Sequence, residues 1–101
     1  MKNLKIYLDN TDSFNNETLW KYFLNNATKA ELKGATVYKA VAGVGTHKEL
    51  HSFDILTLSN KLPLIIEIVD SKDKINSFLD LSRDALKECF VTLSDIKVLD
   101  F

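Results

Sequence analysis

The sequence predicts a mixed α+β domain of the ferredoxin-like kind, βαββαβ with an extra central hairpin, whose antiparallel sheet carries two helices on one face. Three observations predict it. Two segments repeat apolar residues at helical spacing, several others alternate or run apolar like strands, and the order reads strand, helix, strand, strand, strand, helix, strand. Right-handed crossovers in that order leave the second face of the sheet without cover from its own chain.

The elements follow one by one. Leu4, Ile6 and Leu8 alternate with Lys5, Tyr7 and Asp9, which predicts a half-buried strand over 2–9. Residues 10–16 are turn formers, and Asn15 or Asn16 is the expected cap of a helix over 17–32. Its stripe is Trp20, Phe23, Leu24, Ala27 and Glu31, and Gly34 is the expected stop. Residues 35–42 predict a strand that opens at Gly43-Val44-Gly45 into a polar loop reaching Ser52. Residues 53–58 and 64–70 predict two further strands joined through Ser59 to Pro63. Asp70 or Ser71 caps a second helix with the stripe Ile75, Phe78, Leu79, Ser82, Ala85, Leu86 and Cys89, and a last strand starting at Phe90 or Ile96 runs to Phe101. In the 64–70 strand Leu64, Ile66 and Ile68 occupy one parity while Ile65, Glu67 and Val69 occupy the other, and the last strand has Ile96 and Val98 against Leu99 and Phe101. Apolar residues on both parities imply burial of both faces, hence a homo-oligomer.

Composition narrows the function classes. The 101 residues carry 13 Lys+Arg against 14 Asp+Glu, a net charge of -1 that leaves no basic excess for a nucleic-acid backbone. A single domain over 1–101 is expected, since no linker or repeat divides the chain. The apolar run from Leu62 to Val69 is too short to span a bilayer and no signal segment precedes it, so a cytoplasmic protein without membrane insertion is expected. The lone Cys89 makes no internal disulfide, which suits a reducing compartment.

Catalytic constellations are scarce. His47 and His51 stand four apart, the spacing of a helical metal pair, but they follow a Gly-x-Gly segment and lack an HExxH context, so exposed loop histidines are the expectation and no metal is assigned. Gly43-Val44-Gly45 offers amides to a phosphate but lacks the third glycine and the following helix of a dinucleotide fingerprint. Cys89 reads as packing. Glu67, inside an apolar strand, needs a partner, and Lys5 or Lys39 on neighbouring strands is expected to supply it. No dyad or triad stands out, so the chain is not expected to be an enzyme.

Gly34-Ala35-Thr36-Val37, Val41-Ala42-Gly43-Val44-Gly45 and Ile65-Ile66-Glu67-Ile68-Val69-Asp70 before an amphipathic helix resemble the PII signal-transduction superfamily. His51, then Ile55 through Pro63, then Ile66-Glu67-Ile68-Val69-Asp70 is similar to a small prokaryotic PII-like family with a domain of unknown function. The resemblance spans nearly the whole chain. It implies a homotrimer with ligand clefts between subunits, a regulatory role, a small anionic ligand such as an adenine nucleotide, and a partner such as a membrane transporter or channel. It places the ligand cleft at Gly43, Gly45 and the backbone around them; at near-zero net charge an anionic ligand must be held by local groups such as Lys39 and Lys48, and with Val44 and His51 these make up the expected ligand-binding residues. Where PII proteins carry Gly-Lys-x-Gly-Asp-Gly-Lys, this chain reads Lys87-Glu88-Cys89-Phe90-Val91-Thr92-Leu93-Ser94-Asp95, and its loop lacks a modifiable tyrosine. A metal-handling protein of the CutA type, binding Cu or Zn through His47, His51 or Cys89, and a ligand-free structural adaptor are the alternatives.

Overall fold

The computed structural model describes residues 1–44, 50–52 and 62–101. Strand β1 (Lys2–Asp9) leads into a miniature hairpin, β2 (Ser13–Phe14) and β3 (Glu17–Thr18), and then helix α1 (Leu19–Lys29). Strand β4 (Ala35–Lys39) is followed by a short ribbon of β5 (Ala42–Val44) and β6 (Leu50–Ser52). Strand β7 (Pro63–Asp70), helix α2 (Lys72–Leu86) and strand β8 (Phe90–Asp95) complete the order.

The main sheet has the order β4-β7-β1-β8 with every neighbouring pair antiparallel. The two strands that precede the helices, β1 and β7, lie in the centre, in the register Leu4↔Ile68, Ile6↔Ile66 and Leu8↔Leu64. Those six side chains are buried, together with Phe23, Ile75 and Phe78 of the helices. Burial of this apolar layer is the main stabilising term, at about 25 cal/mol per Å². The helices meet through Phe23 and Phe78, ring centroids 6.2 Å apart, and through Asn26, whose buried Nδ2 donates to Ser82 Oγ at 3.0 Å. The fold class is therefore the expected ferredoxin-like α+β arrangement, and β1 runs over the expected residues 2–9.

Several boundaries differ from the sequence reading, each for a local reason. Asn15 and Asn16 do not cap α1. With φ of 50° and 64° they make the left-handed turn that a two-residue hairpin loop demands, a conformation Asn tolerates best after Gly. The helix consequently starts at Leu19 and not at Glu17, with Thr18 as an N-cap that makes no side-chain bond and with the Leu19 N–H donating to the Asp12 carbonyl at 2.9 Å. At the other end the stop is Glu31, not Gly34. Glu31 adopts φ 58°, and the Glu31 and Leu32 amides donate to the carbonyls of Thr28 and Ala27, which is the Schellman pattern. Its carboxylate reaches Lys74 Nζ at 3.4 Å.

Ser71 caps α2, its hydroxyl accepting from the Lys74 N–H. The last strand ends at Asp95, opposite Lys2, because β1 offers no partner beyond that residue. The expected strand pairing of Ile96 to Phe101 is thereby corrected; Ile96 makes one backbone bond to the Met1 carbonyl and the rest is irregular. The expected strand over 53–58 and most of its connection to β7 lie outside the described residues. Among the described residues no helix is long and apolar enough to cross a membrane.

Candidate functional site

A cavity of about 960 Å³ opens at one end of the sheet, where the β1–β2 corner, the start of β5, the start of β7 and the α2–β8 corner converge. Each wall is built by a local device. The Asp12 carboxylate accepts the Asp9 N–H at 2.9 Å and folds the β1–β2 corner back toward the helix, setting Phe14 against Tyr22 with ring centroids 5.1 Å apart. Asn10 clamps the approach to β7 by exchanging two bonds with Leu62, 2.9 and 2.8 Å. The Ala40 N–H donates to the Pro63 carbonyl at 2.9 Å, so the chain turns out of β4 and lays β5 over the start of β7. Gly43 sits at that crossing. A Cβ there would stand 3.0 Å from Pro63 Cγ, so close backbone approach explains the glycine.

The opposite wall is the α2–β8 corner. Lys87 ends the helix, the Cys89 N–H donates to the Leu86 carbonyl, and Phe90 stacks on Tyr7 at 5.5 Å between centroids, 58° between planes. Leu8, Leu19, Leu64 and Ala85 form an apolar floor. The Cys89 thiol is half-buried and donates weakly to the Ala85 carbonyl at 3.8 Å. Burial, with the Asp12 and Glu88 carboxylates adding to it, pushes this thiol up to about 11. It is a packing residue, as its sequence position suggests, and a poor nucleophile at neutral pH.

Gly43 is the ligand-binding candidate that the structure places in the cavity wall. Val44 and His51 belong to the adjoining ribbon, where Gly43 pairs with His51 and Val44 with Leu50. The stretch expected as a loop from Gly43 to Ser52 thus has paired ends. Lys39 ends β4, opposite Leu64, and is exposed outside the lining residues. Gly45, His47 and Lys48 lie outside the described residues. Sequence reasoning missed Asp12, Phe14, Lys87, Glu88 and Phe90 as walls. The one signal for the first pair was Asn15-Asn16, whose hairpin meaning competes with capping.

A second polar cluster lies on the sheet face that carries no helix. Glu67 accepts from Asn3 Nδ2 at 3.0 Å and from Tyr38 Oη at 2.8 Å, with Lys5 Nζ at 3.9 Å. The Asn3 bond, then that of Tyr38, then the Lys5 charge outweigh partial burial and hold the Glu67 carboxyl below the ordinary carboxylate range. The same contact raises the Tyr38 phenol. The expected partner Lys5 is present. Lys39 is not one, because it stands opposite Leu64 while Thr36 faces Glu67, and Tyr38 on the same face takes the role.

The fold is that of PII-like proteins. A PII-like protein CPII of Thiomonas intermedia K12, described as bound to ADP and bicarbonate, superposes with a TM-score of 0.71 at 17% identity, covering 96% of this chain and 86% of that one. A second structure of CPII, bound to ADP, AMP and acetate, gives 0.68 at 17% identity over 98% of this chain and 88% of that one. The chain itself belongs to the DUF190 family, described as "Uncharacterized ACR", which it matches over residues 1–98. Its relatives include a UPF0166 protein of Aquifex aeolicus, 35% identical over 97% of this chain and 92% of that protein. Another, from Methanocaldococcus jannaschii, is 40% identical over 85% and 79%.

Proposed function

We propose that the protein is a non-enzymatic, PII-like regulator that binds a small ligand, with an adenine nucleotide as the leading class, in the cavity beside Gly43 and the α2–β8 corner. The observation that carries this reading is the cavity itself: about 960 Å³, apolar at its floor and aromatic at its mouth, in a fold whose solved neighbours include one described as bound to ADP. Its walls come from four separate segments, among them the start of the β5–β6 ribbon, so occupancy would be felt directly in the backbone of that ribbon. That coupling is the regulatory element, and a transporter or channel is the partner class the resemblance implies.

The working unit is a homotrimer in the cytoplasm. The helix-free sheet face supports an oligomer, because it presents Tyr7, Tyr38 and Phe90 at 37%, 46% and 63% exposure beside the Glu67 cluster. The test is calorimetric titration with ATP, ADP, AMP, cyclic AMP and bicarbonate, with the molar mass measured in parallel by light scattering. Saturable binding of an adenine compound to a particle of three times 11.5 kDa is expected. Absence of binding by all five ligands overturns the sensor reading, and an 11.5 kDa particle overturns the trimer.

A further inference from the structure

Strand β8 presents an open ladder edge, and the segment that follows it has no ladder to join. β8 ends the sheet order β4-β7-β1-β8, and among the described residues no strand pairs with its other side. The Ile96 N–H donates to the opposed Met1 carbonyl at 3.1 Å. By the alternation of an antiparallel pair, Phe90, Thr92 and Ser94 then turn their backbone groups to β1, while Val91, Leu93 and Asp95 turn theirs to the outer edge. Natural edges commonly carry lysine, proline or a bulge that discourages pairing, yet residues 90–94 read Phe-Val-Thr-Leu-Ser, with neither charge nor proline. Beyond the strand, Val98, Leu99 and Phe101 stand more than half exposed in irregular backbone. They do not fold back onto the edge beside them. The Ile96 bond carries the chain on in the strand direction, and no glycine, proline or asparagine follows to reverse it.

Resting on the homotrimer reading above, we propose that residues 97–101 of one copy add as a strand to the β8 edge of a second copy, so that each copy gives one strand and accepts one. Symmetry selects this occupant. Two β8 edges pairing with each other would make a two-fold, isologous contact, whereas a segment given to a neighbour's edge is a heterologous contact that closes into a ring. The area is sufficient as well. The three exposed side chains offer on the order of 400 Å² per copy, and giving plus accepting brings the area buried per copy to about 800 Å², one side of a standard stable interface. Main-chain bonds supply the affinity of such strand addition. Apolar residues on both parities of the segment, Val98 against Leu99 and Phe101, suit a strand covered on both faces.

Light scattering and amide hydrogen exchange at one protein concentration test it, on the wild type, Leu99→Lys/Phe101→Lys and Leu93→Pro. Proline at position 93 removes an outward N–H and no bond to β1, and Leu99 and Phe101 are exposed, so both variants should keep the monomer fold, which far-UV circular dichroism checks. The wild type is expected at three times 11.5 kDa, and both variants at 11.5 kDa. In Leu99→Lys/Phe101→Lys the Val91, Leu93 and Asp95 amides should exchange about 100-fold faster than in the wild type, while the β1-bonded Thr92 and Ser94 amides stay slow. A three-copy wild type whose Val91, Leu93 and Asp95 amides exchange freely, or a three-copy particle unchanged by both variants, overturns the inference and leaves the trimer reading intact. A wild-type particle of 11.5 kDa overturns the trimer reading and the inference with it.

Discussion

Asp70 offers a direct test of how this domain is held together. It is the last residue of β7, 3% exposed, and its carboxylate accepts the Lys33 N–H at 2.8 Å and the Ser71 N–H at 2.7 Å. It thereby ties the α1–β4 connection to the start of α2. The Lys33 bond, the Ser71 bond and the nearby Lys33 and Lys74 charges outweigh burial and hold its carboxyl below the ordinary range near 4. Asp70→Asn keeps the shape and one accepting oxygen but gives up the charge and leaves one amide without its partner. Hydrogen bonds to charged groups contribute about 1.5–3 kcal/mol each, so the expected loss is about 2 kcal/mol, or roughly 8–16 °C in a domain of this size. A folded pKa below the unfolded one stabilises above the unfolded value, near pH 4, and that stability is lost as pH falls through the folded value. Urea unfolding of both proteins at one fixed protein concentration should show the full gap at pH 7 and a gap shrinking below pH 4. A gap of the same size at pH 2.5, or no gap at pH 7, would refute the assignment of the stability to the ionised carboxylate.

Three shorter predictions follow from the other sites. Glu67→Gln weakens the hydrogen bond to the carboxylate and removes the charge that together raise the Tyr38 phenol, so the Tyr38 titration followed by ultraviolet absorbance should move down toward its ordinary value near 10; an unmoved curve would show that the contact does not persist in solution. Cys89, with its thiol at about 11 against an ordinary 9.0, should react with iodoacetamide at pH 8 about 100-fold more slowly in the folded protein than in urea, where equal rates would contradict its burial. Gly43→Val fills the crossing of β5 over Pro63 and should weaken adenine-ligand binding about tenfold or more, with far-UV circular dichroism confirming that the sheet remains; wild-type affinity would remove Gly43 from the cavity wall.

Much of the fold was legible in the sequence because its signals were periodic. Leu4, Ile6 and Leu8 alternate, and Phe23, Ile75 and Phe78 recur at helical spacing, so the core strands and both helices could be placed from pattern alone. The errors fall where one residue type serves two ends. Asn15 and Asn16 suit an N-cap and a left-handed hairpin turn equally, and only the return of the chain toward Asp12 decides for the turn. Glu31 takes the left-handed position usually given to glycine because Leu32 must close the helix onto Ala27, a demand invisible in the residue itself. The tail after Asp95 has strand-forming residues but no free edge of β1 to pair with.

The candidate site was less legible than the fold. Gly43 could be read from its Gly-x-Gly context, whereas Asp12, Phe14 and Phe90 reach the cavity only because four segments of the chain converge at one end of the sheet. Such convergence has no sequence period. The same holds for Tyr38, which reaches Glu67 through the β4–β7 register and not through sequence proximity.

The central claim is that the cavity bordered by Gly43 and the α2–β8 corner is where this protein receives its ligand. The most direct measurement is a titration of isotope-labelled protein with AMP, followed amide by amide in nuclear magnetic resonance spectra. Saturable shifts concentrated at Asp12 to Phe14, Ala42 to Val44 and Lys87 to Phe90 are expected, with Asn3, Thr36 and Val69, toward the other end of the sheet, little changed. Shifts centred on that other end, or none at millimolar AMP, would contradict it.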